Sequence, residues 1–186
     1  VTNTATVINS GKITTSGLVS FGIDVSQMVS TASGSITVQN QGDIKTTGGG
    51  NAYGIGVNQS VDNGTMGVTN NAQVETQGSY SYGIYARQTN AADSAVTVMN
   101  NDEINTLGTG AHAVYIYQRD NANSTIDVTS SSTGVIETQG NEAHGIFADA
   151  RSSGLTQVSN AGQITTTGST SRGIYVSASP LSGTGG

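Results

Sequence analysis

Apolar and polar positions alternate along this chain with a period of two, and the alternation returns in phase about every 30 residues. In residues 37–48, TVQNQGDIKTTG, the positions Val38, Asn40, Ile44, Thr46 and Gly48 share one side, while Asp43, Lys45 and Thr47 take the other. A period of two belongs to a β-strand, whose successive side chains point to opposite faces. Five more segments repeat the pattern: TVINSGKITTSG (6–17), GVTNNAQVETQG (67–78), TVMNNDEINTLG (97–108), DVTSSSTGVIETQG (127–140) and QVSNAGQITTTG (157–168). Their shared form is V-x-N-x-G-x-I-x-T-x-G. The leading valines are Val7, Val38, Val68, Val98, Val128 and Val158, giving steps of 31, 30, 30, 30 and 30 residues.

Each copy runs into a second block: SFGIDV (20–25), AYGIGV (52–57), SYGIYA (81–86), AHAVYI (111–116), AHGIFA (143–148) and SRGIYV (171–176). A variable stretch follows before the next copy. A unit this short cannot bury an apolar face alone, but stacking each copy on the next pairs the backbones in parallel and closes a continuous core. Parallel crossovers are overwhelmingly right-handed. The fold class predicted is all-β, a right-handed single-stranded parallel β-helix of six rungs beginning near residues 7, 38, 68, 98, 128 and 158. It fills residues 1–178, with 179–186 expected to be a loose tail. Sandwiches and barrels also show short strands at regular spacing, but they do not require one residue at one place in every copy.

Glycine recurs after the threonine (Gly17, Gly48, Gly78, Gly108, Gly140, Gly168) and before the second-block Ile or Val, where Ala113 is the exception. These are the expected corners, needing positive φ or close backbone approach. Two insertions, at Gly48–Gly50 and between Ser130 and Gly134, fall at corners and are expected as bulges on the coil surface. With rungs ~4.8 Å apart the rod is about 25–30 Å long, with exposed strand edges and core at both ends. Neither terminus carries an evident cap, so a piece of a longer solenoid is expected.

Composition supports an ordered β chain. Glycine supplies 26 of 186 residues and proline one, charged residues are only 10%, and β-branched residues occur throughout. Six basic residues stand against twelve acidic ones, without a basic run, so nucleic acid and anionic membrane are not expected partners. The absence of cysteine excludes disulfides and thiolate metal sites. No apolar run reaches the ~18 residues of a membrane span, and Val1–Ser10 does not read as a signal peptide, so targeting elements are expected outside this chain.

Stacking turns equivalent positions into columns, and chemistry is sought down columns. Asn9, Asn40, Asn70, Asn100 and Asn160, interrupted by Ser130, read as an inward amide ladder bonded rung to rung. Thr15, Thr46, Thr76, Thr106, Thr138 and Thr166 read the same way. Aromatic residues gather in two second-block columns. One holds Phe21, Tyr53, Tyr82, His112, His144 and Arg172; the other holds Tyr85, Tyr115, Phe147 and Tyr175, preceded by Asp24 and Gly56. Rings of the second column lie between apolar neighbours and should face outward as an exposed stripe. Such a stripe either braces the sheet or offers a platform to sugar rings or a partner protein. The first column has the parity of the inward Ile unless the intervening Gly breaks the strand.

His112 and His144 fall on adjacent rungs, about 5 Å apart. The favoured reading is two exposed histidines, without a third ligand, and no metal or other cofactor is expected. Asp43, Glu75, Glu103 and Glu137 occupy two adjoining outward columns on alternating rungs, too far apart for a catalytic pair. Asp62, Asp93 and Asp120 sit in the variable stretches at unequal offsets, where calcium binding stays open. No nucleophile triad or phosphate loop is present.

The motif G-x-I-x-T-x-G-x-x-S/A-x-G-I-x-A/V resembles the passenger repeats of type V secreted bacterial autotransporters over residues 1 to about 178. That resemblance implies a surface or secreted protein of a Gram-negative bacterium, held to the outer membrane by a barrel outside this chain. It further implies a non-enzymatic adhesin or virulence factor that binds a host cell-surface protein or glycan, or a sister molecule. A released effector of host cells and a polysaccharide-active enzyme are the alternatives. Candidate binding residues are Tyr53, Tyr82, Tyr85, His112, Tyr115, His144, Phe147 and Tyr175.

Overall fold

The computed structural model describes residues 3–28, 33–61, 63–89, 93–119 and 123–179. Every rung contributes three short strands, one to each of three six-stranded parallel sheets, and the described residues contain no helix. The first sheet is built from Asn3–Asn9, Ser33–Asn40, Asn63–Asn70, Ala95–Asn100, Thr125–Ser130 and Thr156–Asn160. The second holds Ile13–Thr15, Ile44–Thr46, Val74–Thr76, Glu103–Thr106, Val135–Thr138 and Gln163–Thr166. The third holds Ile23–Met28, Ile55–Ser60, Ile84–Thr89, Val114–Arg119, Ile146–Arg151 and Ile174–Ala178. In all three sheets each strand pairs with the corresponding strand one rung away, so the architecture is the predicted all-β solenoid of six turns.

Register follows the sequence repeat. Val38 pairs with Val7 and Val68, Ile44 with Ile13 and Val74, and Ile55 with Ile23 and Ile84. Their side chains form one continuous apolar core, in which Val38, Ile55, Val74, Ile84, Ile104 and Ile146 are wholly buried. Each such residue contributes roughly 1.5–3 kcal/mol of burial, largely offset by the entropy of ordering the chain. At the last rung the corresponding Ile174 and Val176 are exposed.

The asparagine column is the expected ladder. Asn9 Nδ2 donates to Asn40 Oδ1, Asn40 to Asn70, and Asn70 to Asn100, at 2.8, 2.8 and 2.9 Å. At Ser130 the ladder stops: Asn100 Nδ2 turns to the Asp102 carbonyl, and the Ser130 hydroxyl is buried without a partner. The threonine column differs from expectation. Thr46, Thr76, Thr106 and Thr138 donate not to one another but to the carbonyls of Ala52, Ser81, Ala111 and Ala143, within their own rungs. Each of these inward hydroxyls closes its own corner in place of a bond up the column. A second amide ladder, missed in the sequence, lies in the third sheet: Gln118 donates to Gln88, Gln88 to Gln59 and Gln59 to Gln27, at 2.9, 2.8 and 2.8 Å.

The recurring glycines serve close approach rather than unusual φ. At Gly108 a Cβ would stand 2.7 Å from the Ser79 nitrogen, with the Gly78 carbonyl nearer still. Positive φ falls instead on the next corner column, at Asn51 (53°), Tyr80 (53°), Gly110 (64°), Glu142 (57°) and Thr170 (58°). Of the insertions, Gly49, Ser132 and Thr133 are exposed at corners, as expected. Residues 180–186 of the tail, and Asp62 and Asp120, lie outside the described residues.

Candidate functional site

Both aromatic columns lie outside the core. The Gly or Ala between them, at 54, 83, 113 and 145, sits at the corner where the chain turns into the third sheet, and this breaks the strand parity. The first column therefore swings out beside the second. Within the columns the rings stack: Tyr53 on Tyr82 at 5.0 Å between centroids, Tyr115 on Phe147 at 5.0 Å, and Phe147 on Tyr175 at 4.8 Å. Between the columns they meet edge to face, as Tyr82 with Tyr115 at 5.0 Å and His112 with Phe147 at 5.2 Å. Each such contact contributes about 0.5–1.5 kcal/mol beyond burial. The expected exposed stripe is therefore corrected: Tyr53, Tyr82, Tyr85, Tyr115, Phe147 and Tyr175 are half-buried against each other.

The expectation of two exposed histidines is corrected as well. His112 and His144 are 9% and 8% exposed, stacked at 4.9 Å with planes 6° apart, and His112 stacks on Tyr82 at 5.3 Å. Nδ1 of His112 accepts the His144 backbone N–H at 2.9 Å, and Nδ1 of His144 accepts that of Arg172 at 3.1 Å. A neutral imidazole whose Nδ1 accepts carries its hydrogen on Nε2, so the tautomer is fixed. Burial and then the neighbouring His144 push the His112 pKa down to about 4. Burial, and next the Arg172 guanidinium, lower that of His144. Burial pushes the Tyr85 hydroxyl up to about 12 and raises Tyr53, Tyr82 and Tyr115, so these phenols stay protonated.

Beside the first aromatic column lies a groove of about 390 Å³. One wall is Tyr82, His112, His144 and Arg172; the other is the positive-φ corner column of Tyr80, Gly110, Glu142 and Thr170. Gly110 carries no side chain, and the Tyr80 ring lies against its backbone where a Cβ would otherwise stand. Of the sequence-predicted residues the groove gathers Tyr82, His112 and His144. It leaves Tyr53, Tyr85, Tyr115, Phe147 and Tyr175 in the packing behind it. Tyr80, Glu142 and Thr170 were missed, and their signal was a fixed place two residues after the corner glycines Gly78, Gly140 and Gly168.

A family model described as the BigA third pectate lyase-like domain matches residues 1–186. The chain belongs to that family. No curated protein and no solved structure matches it. In this BigA-type domain the outward carboxylates are separated as the sequence implied. Asn105 lies in register between Glu75 and Glu137, and Gln73 donates to Glu103 at 3.0 Å. Lys45 meets Glu75 at 2.9 Å, and its hydrogen bond holds that carboxyl below the usual range. Among the described residues no three His, Asp or Glu side chains form a metal-binding group, and no helix is long and apolar enough to cross a membrane.

Proposed function

We propose that this BigA-type domain is a non-enzymatic, surface-displayed or secreted bacterial binding module whose groove takes a saccharide, in the manner of an autotransporter adhesin. The groove beside His112 and His144 carries the reading. Its Nε2–H groups, one per rung, meet no protein acceptor among the described residues and present fixed donors about one rung apart. Tyr80 adds an exposed ring and its hydroxyl, Tyr82 the edge of its stacked ring, Glu142 an acceptor and Arg172 a cation. A flat apolar face among a few convergent polar groups suits a sugar ring with its hydroxyls.

The alternative is a polysaccharide-active enzyme, in line with the words pectate lyase-like in the family description. Hydrolysis would need a paired acid and base in the groove and eliminative cleavage a free base, and both histidines already spend Nδ1 on a backbone N–H. Glu142 is the one carboxylate among its lining residues, which favours binding. Probing an immobilised glycan array with the wild-type domain and with Tyr80→Asn tests the reading, since Asn51 already occupies the equivalent positive-φ position. Wild type should bind selected glycans and the variant should lose them while keeping its β-sheet circular dichroism. Equal binding by both overturns the groove, and release of reducing ends or unsaturated products overturns the non-enzymatic reading.

A further inference from the structure

Counted from the first, the rungs are not all held to one another alike. Between rungs 1 and 2, 2 and 3, and 3 and 4, two amide-to-amide bonds cross each interface, one from the asparagine column and one from the glutamine column. Both columns change residue at rung 5 (125–151), where Ser130 stands in register with Asn100 and Ala150 with Gln118. In rung 6 (156–178) Ala178 follows Ala150, and Asn160 bonds the Gly162 carbonyl of its own rung. Neither ladder therefore crosses from rung 4 to rung 5 or from rung 5 to rung 6. A net hydrogen bond is worth roughly fivefold in an equilibrium constant, so the two missing bonds favour opening of each late interface by about 25-fold.

Two histidine bonds stand in their place. The His144 backbone N–H on Nδ1 of His112 joins rung 4 to rung 5, and the Arg172 N–H on Nδ1 of His144 joins rung 5 to rung 6. Hydroxyls cross as well: Thr133 donates to the Asn101 carbonyl at 2.8 Å, Ser152 donates to Gln118 Oε1 at 3.2 Å, and Ser171 Oγ accepts the Ala143 N–H at 3.1 Å. Of these bonds acid undoes the histidine pair, because a protonated Nδ1 turns a second donor toward the N–H. Tyr82 and Tyr115 face His112, Phe147 and Tyr175 face His144, and Arg172 lies one rung on, with Tyr80 and Glu142 across the groove. Burial and then Arg172 oppose a charge on His144, which Glu142 favours, while burial and then His144 oppose one on His112. In a solenoid each rung contacts only its neighbours, so an end can open without the rest.

We infer that rungs 5 and 6 form an acid-sensitive end that opens as one unit while the first four rungs stay closed. Opening parts the groove, with Tyr82 and His112 kept on the closed segment and Glu142, His144 and Arg172 on the open one. Hydrogen exchange of the backbone amides, read rung by rung at pH 7 and about pH 4.5 and corrected for the intrinsic pH dependence, tests it. The strands of rungs 5 and 6 should share one opening equilibrium, and rung 6 should exchange faster than rung 1, although each has one uncovered face. Acidification should speed exchange in rungs 5 and 6 by about tenfold or more. His112→Asn/His144→Asn, whose amide oxygens can accept the same N–H groups without titrating, should abolish that acid response. Ser130→Asn supplies the missing ladder amide where the hydroxyl has no partner to lose, and should slow exchange in both rungs by about fivefold or more at either pH. One common opening equilibrium for all six rungs, rung 1 exchanging as fast as rung 6, or an acid response that persists in the double variant overturns the inference. If the double variant does not fold, an unchanged rate in Ser130→Asn overturns it instead.

Discussion

The backbone N–H of His144 donates to Nδ1 of His112 at 2.9 Å, while the two rings stack at 4.9 Å. One contact thus joins two rungs, fixes a tautomer and turns a ring nitrogen toward the groove. Protonating Nδ1 would break it.

Acid should therefore loosen the fold through these rings. A histidine held neutral with a lowered folded pKa contributes stability that is complete above its unfolded value, 6.5, and lost as pH falls toward its folded value. For His112 the window runs from 6.5 down to about 4. Thermal melts across that window should show wild type losing stability, by as much as about 3 kcal/mol more than His112→Tyr/His144→Tyr, which places at both sites the residue found at Tyr82. Parallel pH profiles for the two proteins would remove the histidines from the account.

Asn70 accepts from Asn40 and donates to Asn100 while fully buried. Asn70→Ala strands a donor and an acceptor, so urea unfolding should report a loss of roughly 2–4 kcal/mol. Asn160 is exposed and bonds only the Gly162 carbonyl, so Asn160→Ala should change stability by less than about 0.5 kcal/mol.

Glycine positions separate into two kinds. Gly108→Ala drives a methyl against the backbone of the preceding rung, which cannot yield, and should cost several kcal/mol or abolish folding. Gly67 has nothing nearer than the Ile36 carbonyl at 4.0 Å and lies in register between Thr37 and Thr97. Gly67→Thr should stabilise the sheet by about 0.5–1 kcal/mol, read as a raised unfolding midpoint.

The aromatic columns brace one another, so Tyr85→Ser/Tyr115→Ser/Tyr175→Ser should lower the melting temperature markedly. Tyr115 alone contacts Tyr82, Tyr85, His112 and Phe147. An unchanged melt in the triple variant would mean that the rings do not support the fold.

Much of this architecture was legible because every rung repeats the same constraint. Val38 has the same neighbours as Val68, so the period alone sets parallel pairing and register. The asparagine ladder was legible because its amide both donates and accepts and reaches the next rung, whereas the inward hydroxyls of Thr46, Thr76, Thr106 and Thr138 take a carbonyl across their own corner, an acceptor that the repeat does not mark. The first aromatic column could not be oriented from parity, since a corner at Gly83 or Ala113 resets the alternation. Tyr80 and Glu142 escaped notice because their column varies in residue type, Asn, Tyr, Gly, Glu and Thr in turn, and is defined only by backbone conformation.

Chemical-shift mapping on ¹⁵N-labelled domain, titrated with a glycan retained on the array, tests the central claim most directly. The groove reading predicts shifts confined to the backbone of Tyr80, Tyr82, Gly110, Glu142 and Arg172 and to the Nε2–H signals of His112 and His144. Shifts clustered on another face, with the histidine side chains unmoved, would contradict it.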